Sequence, residues 1–254
     1  MGVVDRETRR LSFGSVASDY DRYRPSPPRQ ALERLVPPDA KAVLDLAAGT
    51  GAVTRELVGL APRVIAVEPD ERMRAVLAAR CPEAEVLAGR GEDIPLPDAS
   101  VDAVVISSAW HWLDPGRAVP EITRVLRVDG TLGVMWTSRD ARVPWVAEFN
   151  QLASESREAD RAPGSPQKTR RRVVEFPPGT ALSQPETFTV EYSVPMTSEQ
   201  LFGLLGTYSG VITLAPEAKA DFTRRVRAFL DRQPWDHVDL PMICRCFRSI
   251  RLPG

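Results

Sequence analysis

Apolar residues fall in short unbroken runs along the first half of the chain, separated by longer mixed stretches. Residues 42–46 (AVLDL), 64–67 (VIAV), 101–107 (VDAVVIS) and 131–136 (TLGVMW) are such runs, and 85–88 is a weaker one. A run this short, bounded by turn residues, predicts a strand buried on both faces, the habit of a parallel sheet covered by helices. The stretches 27–38, 53–60, 70–80 and 115–126 predict the intervening helices, the first bracketed by prolines. Alternating strands and helices with right-handed crossovers make a doubly wound α/β domain.

After residue 137 the pattern changes. Residues 144–158, 198–205 and 216–232 predict helices. Residues 187–194 (TFTVEYSV) alternate as a half-buried strand does, and 242–251 (MICRCFRSIR) predict a final strand. Residues 160–172 (DRAPGSPQKTRRR) predict an exposed basic loop. At 254 residues one elaborated domain is expected. Its expected parts are an N-terminal cap (1–38), a core (39–137), a later segment (138–232) and a terminal strand (233–254).

Composition narrows the function classes. The net charge is −1, which argues against a nucleic-acid or membrane partner. No apolar run reaches 18 residues and no apolar leader opens the chain, so the expected location is the cytoplasm. The cysteines, Cys81, Cys244 and Cys246, are too few for a disulfide framework and read as small buried side chains. His111 and His237 are the only histidines, so no metal site is expected. Lysine occurs only at Lys41, Lys168 and Lys219 against many arginines, alanines and prolines, the signature of a GC-rich bacterial genome.

The chemistry concentrates in residues 43–51 (VLDLAAGTG), a strand running through Gly49 and Gly51 into a helix. In an open α/β sheet ligands bind at that strand end, and glycines let the backbone approach them. A dinucleotide would require a third glycine where Thr54 stands, and Asp45 would repel its pyrophosphate. S-adenosylmethionine carries an ammonium and a sulfonium instead, and an acid suits that end. Glu68 ends the second strand, 23 residues after Asp45, where a carboxylate can accept both ribose hydroxyls.

Four stretches in order over residues 13–137 resemble the motifs of class I methyltransferases: VLDLAAGTG, VIAVEPDERM, GRGEDIPLPDASVDAVV and EITRVLRVDGTLGV. A finer resemblance, to the small-molecule branch with the trans-aconitate and menaquinone-biosynthesis enzymes, rests on three segments. They are residues 13–24, Ala109-Trp110-His111-Trp112, and residues 197–213 with Thr207-Tyr208-Ser209. The resemblance implies a Rossmann-like seven-stranded sheet with its last strand antiparallel, an N-terminal helical cap and a lid segment.

It also implies a cofactor, S-adenosylmethionine, held by Asp45, Ala47, Gly49, Gly51, Glu68, Pro69, Met73 and Ser107. Tyr20 and Arg24 of the cap join them, Arg24 as a ligand for the methionine carboxylate or for an acidic substrate. Arg90 stands where many relatives have an aspartate for the adenine amino group, so adenine falls to Gly91, Glu92 and Asp93. Tyr23, Trp110, Trp112, Trp136 and Tyr208 are expected at a small-molecule acceptor. His111 is the candidate base, against the alternative that it only packs between two tryptophans. The expected activity is methyl transfer to oxygen or nitrogen by a monomer or homodimer. The alternative is a rearrangement or cyclisation on the same fold and cofactor.

Overall fold

The computed structural model describes residues 14, 16–159 and 173–253. The basic run 160–172, and Phe13 and Ser15 of the N-terminal resemblance, lie outside these residues. The chain forms two compact units. One, the loop unit, comprises the described residues of 26–137, 171–190 and 244–254; the other comprises those of 1–25, 138–170 and 191–243.

In the loop unit, helix α2 (Arg29–Leu35) precedes β1 (Ala42–Leu46), α3 (Ala52–Val58), β2 (Arg63–Val67), α4 (Glu71–Arg80), β3 (Glu85–Leu87) and β4 (Val101–Ser107). A single 3-10 turn (Trp110–Trp112), α5 (Pro115–Val125) and the start of β5 (Leu126–Arg139) follow. Helix α1 (Ala17–Tyr23) precedes these in the chain and belongs to the other unit, with α6 (Pro144–Ala159), α7 (Ser198–Gly206), α8 (Ser209–Ile212) and α9 (Pro216–Asp231). Strands β5, β6 (Glu186–Thr197) and β7 (His237–Ile250) run from one unit into the other.

The seven strands make one sheet in the order β3-β2-β1-β4-β5-β7-β6. Strands β1 to β5 are mutually parallel. Strand β7 runs antiparallel: its Arg251 end bonds Gly130 at the start of β5, and its Pro241 accepts the N–H of Asp140 at the end. All five residues of β1 are buried, as are four of five in β2. That two-sided burial is why these strands read as unbroken apolar runs. Among the described residues no helix is long and apolar enough to cross a membrane.

Polar side chains fix the element ends. Asp102 accepts the N–H groups of Lys41 and Ala42 at 2.7 and 2.9 Å and pairs with Arg127 at 2.6 Å, tying β4 to the entry of β1. Asp70 caps α4 through the N–H of Arg72, and Asp114 caps α5 through that of Gly116. Thr197 and Gln200 form a reciprocal capping box on α7. Strand β5 starts at Leu126, five residues before the expected Thr131. Its partners on β4 jump from Leu126 to Thr131 between Val101 and Ala103, so residues 127–130 are an out-of-register bulge within the strand. Asp129 sits there at φ 65°, the left-handed region.

Cys244 and Cys246 share one face of β7, fully buried, with their Sγ atoms 3.5 Å apart. His237 is exposed at the start of that strand.

Candidate functional site

The loop after β1 folds over the end of β2. The N–H groups of Ala47 and Ala48 both bond the Val67 carbonyl, at 2.8 and 3.1 Å, and that of Gly51 bonds Ala48 at 3.0 Å. Three residues of the loop take positive φ: Ala47 at 60°, Gly49 at 61° and Gly51 at 89°. For alanine that conformation costs roughly 1–2 kcal/mol, and such strain gathers at ligand-binding loops. Gly51 is also the N-cap of α3. A Cβ there would lie 2.5 Å from Leu77 Cδ1 and 2.8 Å from Cys81 Sγ, so α4 packs where only glycine leaves room. Gly49 has more space, with Met73 Cε as its neighbour at 3.5 Å.

Two acids face this loop from beneath. Asp45 is 1% exposed and accepts the Thr54 hydroxyl at 2.6 Å. Glu68 is 7% exposed; one carboxylate oxygen accepts the Gly49 N–H and the other the Asp70 N–H, both at 2.9 Å. Arg74 bonds the carbonyls of Glu68 and Pro69. Burial pushes Asp45 up to about 7, the Thr54 hydroxyl opposing and the Glu68 charge adding. Burial raises Glu68 as well, against its two backbone N–H partners. Two neighbouring acids held away from water form a site that favours a cation. Thr54, the residue that breaks the dinucleotide glycine pattern, is the one that holds Asp45.

Residues 90–93, the stretch expected at adenine, make a tight turn in which Arg90 and Asp93 bond each other through their backbones. Gly91 is packed against Leu113, while Arg90 and Asp93 are exposed. Glu92 accepts the N–H of Asp114 at 2.9 Å, so it also anchors the start of α5. Two residues of α5 that the sequence reading passed over clamp the following segment. Glu121 accepts the N–H of Ile94, and Arg124 bonds the carbonyls of Ile94 and Leu96 and the carboxylates of Asp98 and Glu121.

Ser107 closes β4 opposite Met135, and Ser108 beyond it takes φ 56°. Trp110 is buried edge-on to Phe176, and His111 lies tilted against Trp112 at 4.7 Å between ring centroids. Trp136 is 3% exposed and edge-on to Phe247. Its indole N–H and the buried Thr50 hydroxyl meet no hydrogen-bond partner among the described residues. Buried donors seldom stay so, and each is suited to a ligand. Thr50 was not among the expected residues; only its place between Gly49 and Gly51 hinted at it.

Tyr20, Tyr23, Arg24 and Tyr208 belong to the other unit. Arg24 bonds the Thr207 hydroxyl at 2.8 Å and its carbonyl at 3.0 Å. Its guanidinium lies 4.9 Å from the Tyr20 ring and 4.1 Å from the Tyr208 ring. Tyr23 is spent on packing: a Cβ on Gly203 of α7 would fall 2.6 Å from its ring.

Comparison with known proteins places this geometry in context. A family profile described as a methyltransferase domain matches residues 44–134. The chain is 38% identical over 251 residues to an uncharacterised methyltransferase of Mycobacterium tuberculosis, covering 97% of this chain and 98% of the relative. It is 39% identical over 109 residues to a second protein of that organism, a candidate S-adenosylmethionine-dependent methyltransferase, covering 42% and 40% of the two chains. A solved structure from Anaeromyxobacter dehalogenans, a candidate type II methyltransferase, superposes with a TM-score of 0.66 at 26% identity. That match covers 91% of this chain and 100% of the other.

Proposed function

The chain belongs to the class I S-adenosylmethionine-dependent methyltransferase family, and from that premise we propose that it methylates an oxygen or nitrogen of a small-molecule acceptor. The observation that carries the reading is the pair of buried acids, Asp45 and Glu68, on either side of a loop at the carboxyl end of β1. The donor set fits the cofactor: an uncompensated buried acid for its cationic end, and a carboxylate with lone pairs to spare for ribose hydroxyls. The Thr50 hydroxyl is a further buried group with no protein partner.

S-adenosylmethionine supplies, when bound, a methyl group on a sulfonium ready for in-line displacement. The residues of this chain then bind, orient and exclude water. Asp45 is the counter-charge at the cationic end. Glu68 holds the ribose while its backbone partners fix its rotamer. Gly91, Glu92 and Asp93 would hold adenine, with Met73 beside it. Trp110, Trp112 and Trp136 would supply an apolar wall toward the methyl group, and a ring face attracts a cation by roughly 0.5–2 kcal/mol. A carboxylate acceptor needs no base; His111 is the group that would take a proton from a phenol, alcohol or amine.

The test is incubation with methyl-labelled S-adenosylmethionine and fractionated small molecules. The reading expects label in an acceptor with an equal amount of S-adenosylhomocysteine. Product formed without label and without S-adenosylhomocysteine would mean rearrangement or cyclisation instead. Asp45→Ala should weaken cofactor binding by about 2–5 kcal/mol, the cost of removing one member of a buried charge pair. Wild-type affinity in that variant would sink the site assignment.

A further inference from the structure

Three sulfur atoms meet in the core of the loop unit. Cys244 and Cys246 stand two apart on β7 and so share a face of that strand. Met135 comes from β5, the neighbouring strand in the sheet. The Cys244 Sγ lies 3.5 Å from the Cys246 Sγ and 3.9 Å from the Met135 Sδ. All three residues are fully buried. The chain has three cysteines and five methionines, and two of the former and one of the latter converge at this point. Packing asks only for apolar volume here, which alanine, valine and leucine supply elsewhere in the sheet. It does not ask for sulfur beside sulfur.

The donor set selects its ligand. Thiolates and thioethers are soft donors, suited to copper(I) and not to magnesium or calcium. With metal–sulfur bonds of about 2.3 Å, three sulfurs around one ion stand about 4.0 Å apart in a trigonal set and about 3.8 Å apart at tetrahedral corners. The observed 3.5 and 3.9 Å lie within about half an ångström of both. Among the described residues no three His, Cys, Asp or Glu side chains gather where they could hold a metal. The expectation of no metal site rested on the same hard and borderline donors, and a methionine thioether falls outside that count.

Charge selects the valence. The hydrogen bond with Cys246, and then burial, push the Cys244 thiol far above its usual range, so the ion-free set is three neutral sulfurs. A monovalent cation that replaces the Cys244 proton leaves a neutral complex, which avoids the large cost of a buried net charge. In that step the S–H bond breaks, a metal–sulfur bond forms and the proton goes to solvent. No electron changes hands.

We propose that Cys244, Cys246 and Met135 form a binding site for a soft monovalent cation of the copper(I) class, which ties β7 to β5. The ion enters during local opening of the sheet, since none of the three sulfurs reaches solvent. The site shares no residue with the S-adenosylmethionine reading and stands without it.

The experiment titrates the reduced full chain with copper(I) under nitrogen, against bicinchoninate as a coloured competitor, with zinc(II) titrated alongside. The wild type should take one copper(I) per chain and hold it at least a hundredfold more tightly than zinc(II). X-ray absorption of the loaded protein should show three sulfur neighbours. Affinity should rise about tenfold per pH unit, the mark of one released proton. Cys244→Ala should abolish binding. Met135→Leu, which keeps the volume and removes the thioether, should weaken it at least tenfold. Cys81→Ala should leave it unchanged, because that thiol lies apart, against the Gly51 carbonyl. If Cys244→Ala does not fold, Met135→Leu and the sulfur count of the wild type carry the test.

Fewer than three sulfur neighbours, or undiminished affinity in Cys244→Ala or Met135→Leu, overturns the proposal. So does zinc(II) bound as tightly as copper(I), or binding that is independent of pH. Loss of binding in a folded Cys81→Ala also overturns it and assigns copper(I) to the solitary thiol.

Discussion

Asp45 ties structure to pH dependence. Its folded-state value stands near 7, against 3.8 for the free side chain, because burial disfavours its charge. A value raised on folding means that its contribution to stability is greatest below about 3.8 and is lost as pH rises through about 7. The ligand-free protein should therefore lose stability across that window, and Asp45→Asn should flatten the dependence; urea unfolding at several pH values measures both. A cationic ligand reverses the preference, since it favours the ionised acid. Binding of S-adenosylhomocysteine, which keeps the ammonium, should release a proton and tighten between pH 6 and pH 8. Calorimetry in buffers of different ionisation enthalpy counts the proton, and no release would detach Asp45 from the cationic end. Gly51→Ala should destabilise by about 1–3 kcal/mol, from overpacking against Leu77 and Cys81. A variant as stable as wild type would contradict the packing around the loop. Sequence alone exposed Asp45, Gly49, Gly51 and Glu68, because charge and chain flexibility are properties of single residues. It did not expose the Thr54 bond to Asp45 or the orphaned Thr50 hydroxyl, because these depend on where a side chain points.

The parallel strands β1, β2 and β4 were legible as elements because both of their faces are buried. The true start of β5 was not, since residues 127–130 are an out-of-register bulge within the strand that leaves no mark in hydrophobic pattern. Nor was the clamp of α5 legible: Arg124 and Glu121 look like an ordinary exposed pair on a helix, and only folding brings Ile94, Leu96 and Asp98 to them. The clamp fixes the segment that continues directly from the turn at Arg90–Asp93. Arg124→Ala should cost about 1–3 kcal/mol, the range for leaving carbonyls without their donor. Amide exchange at Ile94 should speed up while β1 and β2 keep their protection. Unchanged exchange there would mean that the backbone of 94–98 holds itself without α5.

Across the whole molecule, the expectations of a Rossmann-like seven-stranded sheet with an antiparallel last strand, of an S-adenosylmethionine-dependent methyltransferase and of its cofactor all hold. The later segment resisted reading because its side chains, such as Arg139 and Thr207, gain meaning only beside partners distant in sequence. The central claim is that the loop unit holds S-adenosylmethionine between Asp45 and Glu68. Its most direct test is titration calorimetry of the purified chain with S-adenosylmethionine and S-adenosylhomocysteine, with NAD as control, in wild type and Glu68→Ala. The account predicts that both sulfur ligands bind the wild type, that NAD does not, and that Glu68→Ala weakens both at least tenfold. A folded, ligand-free protein that binds neither, or a variant with undiminished affinity, would contradict it.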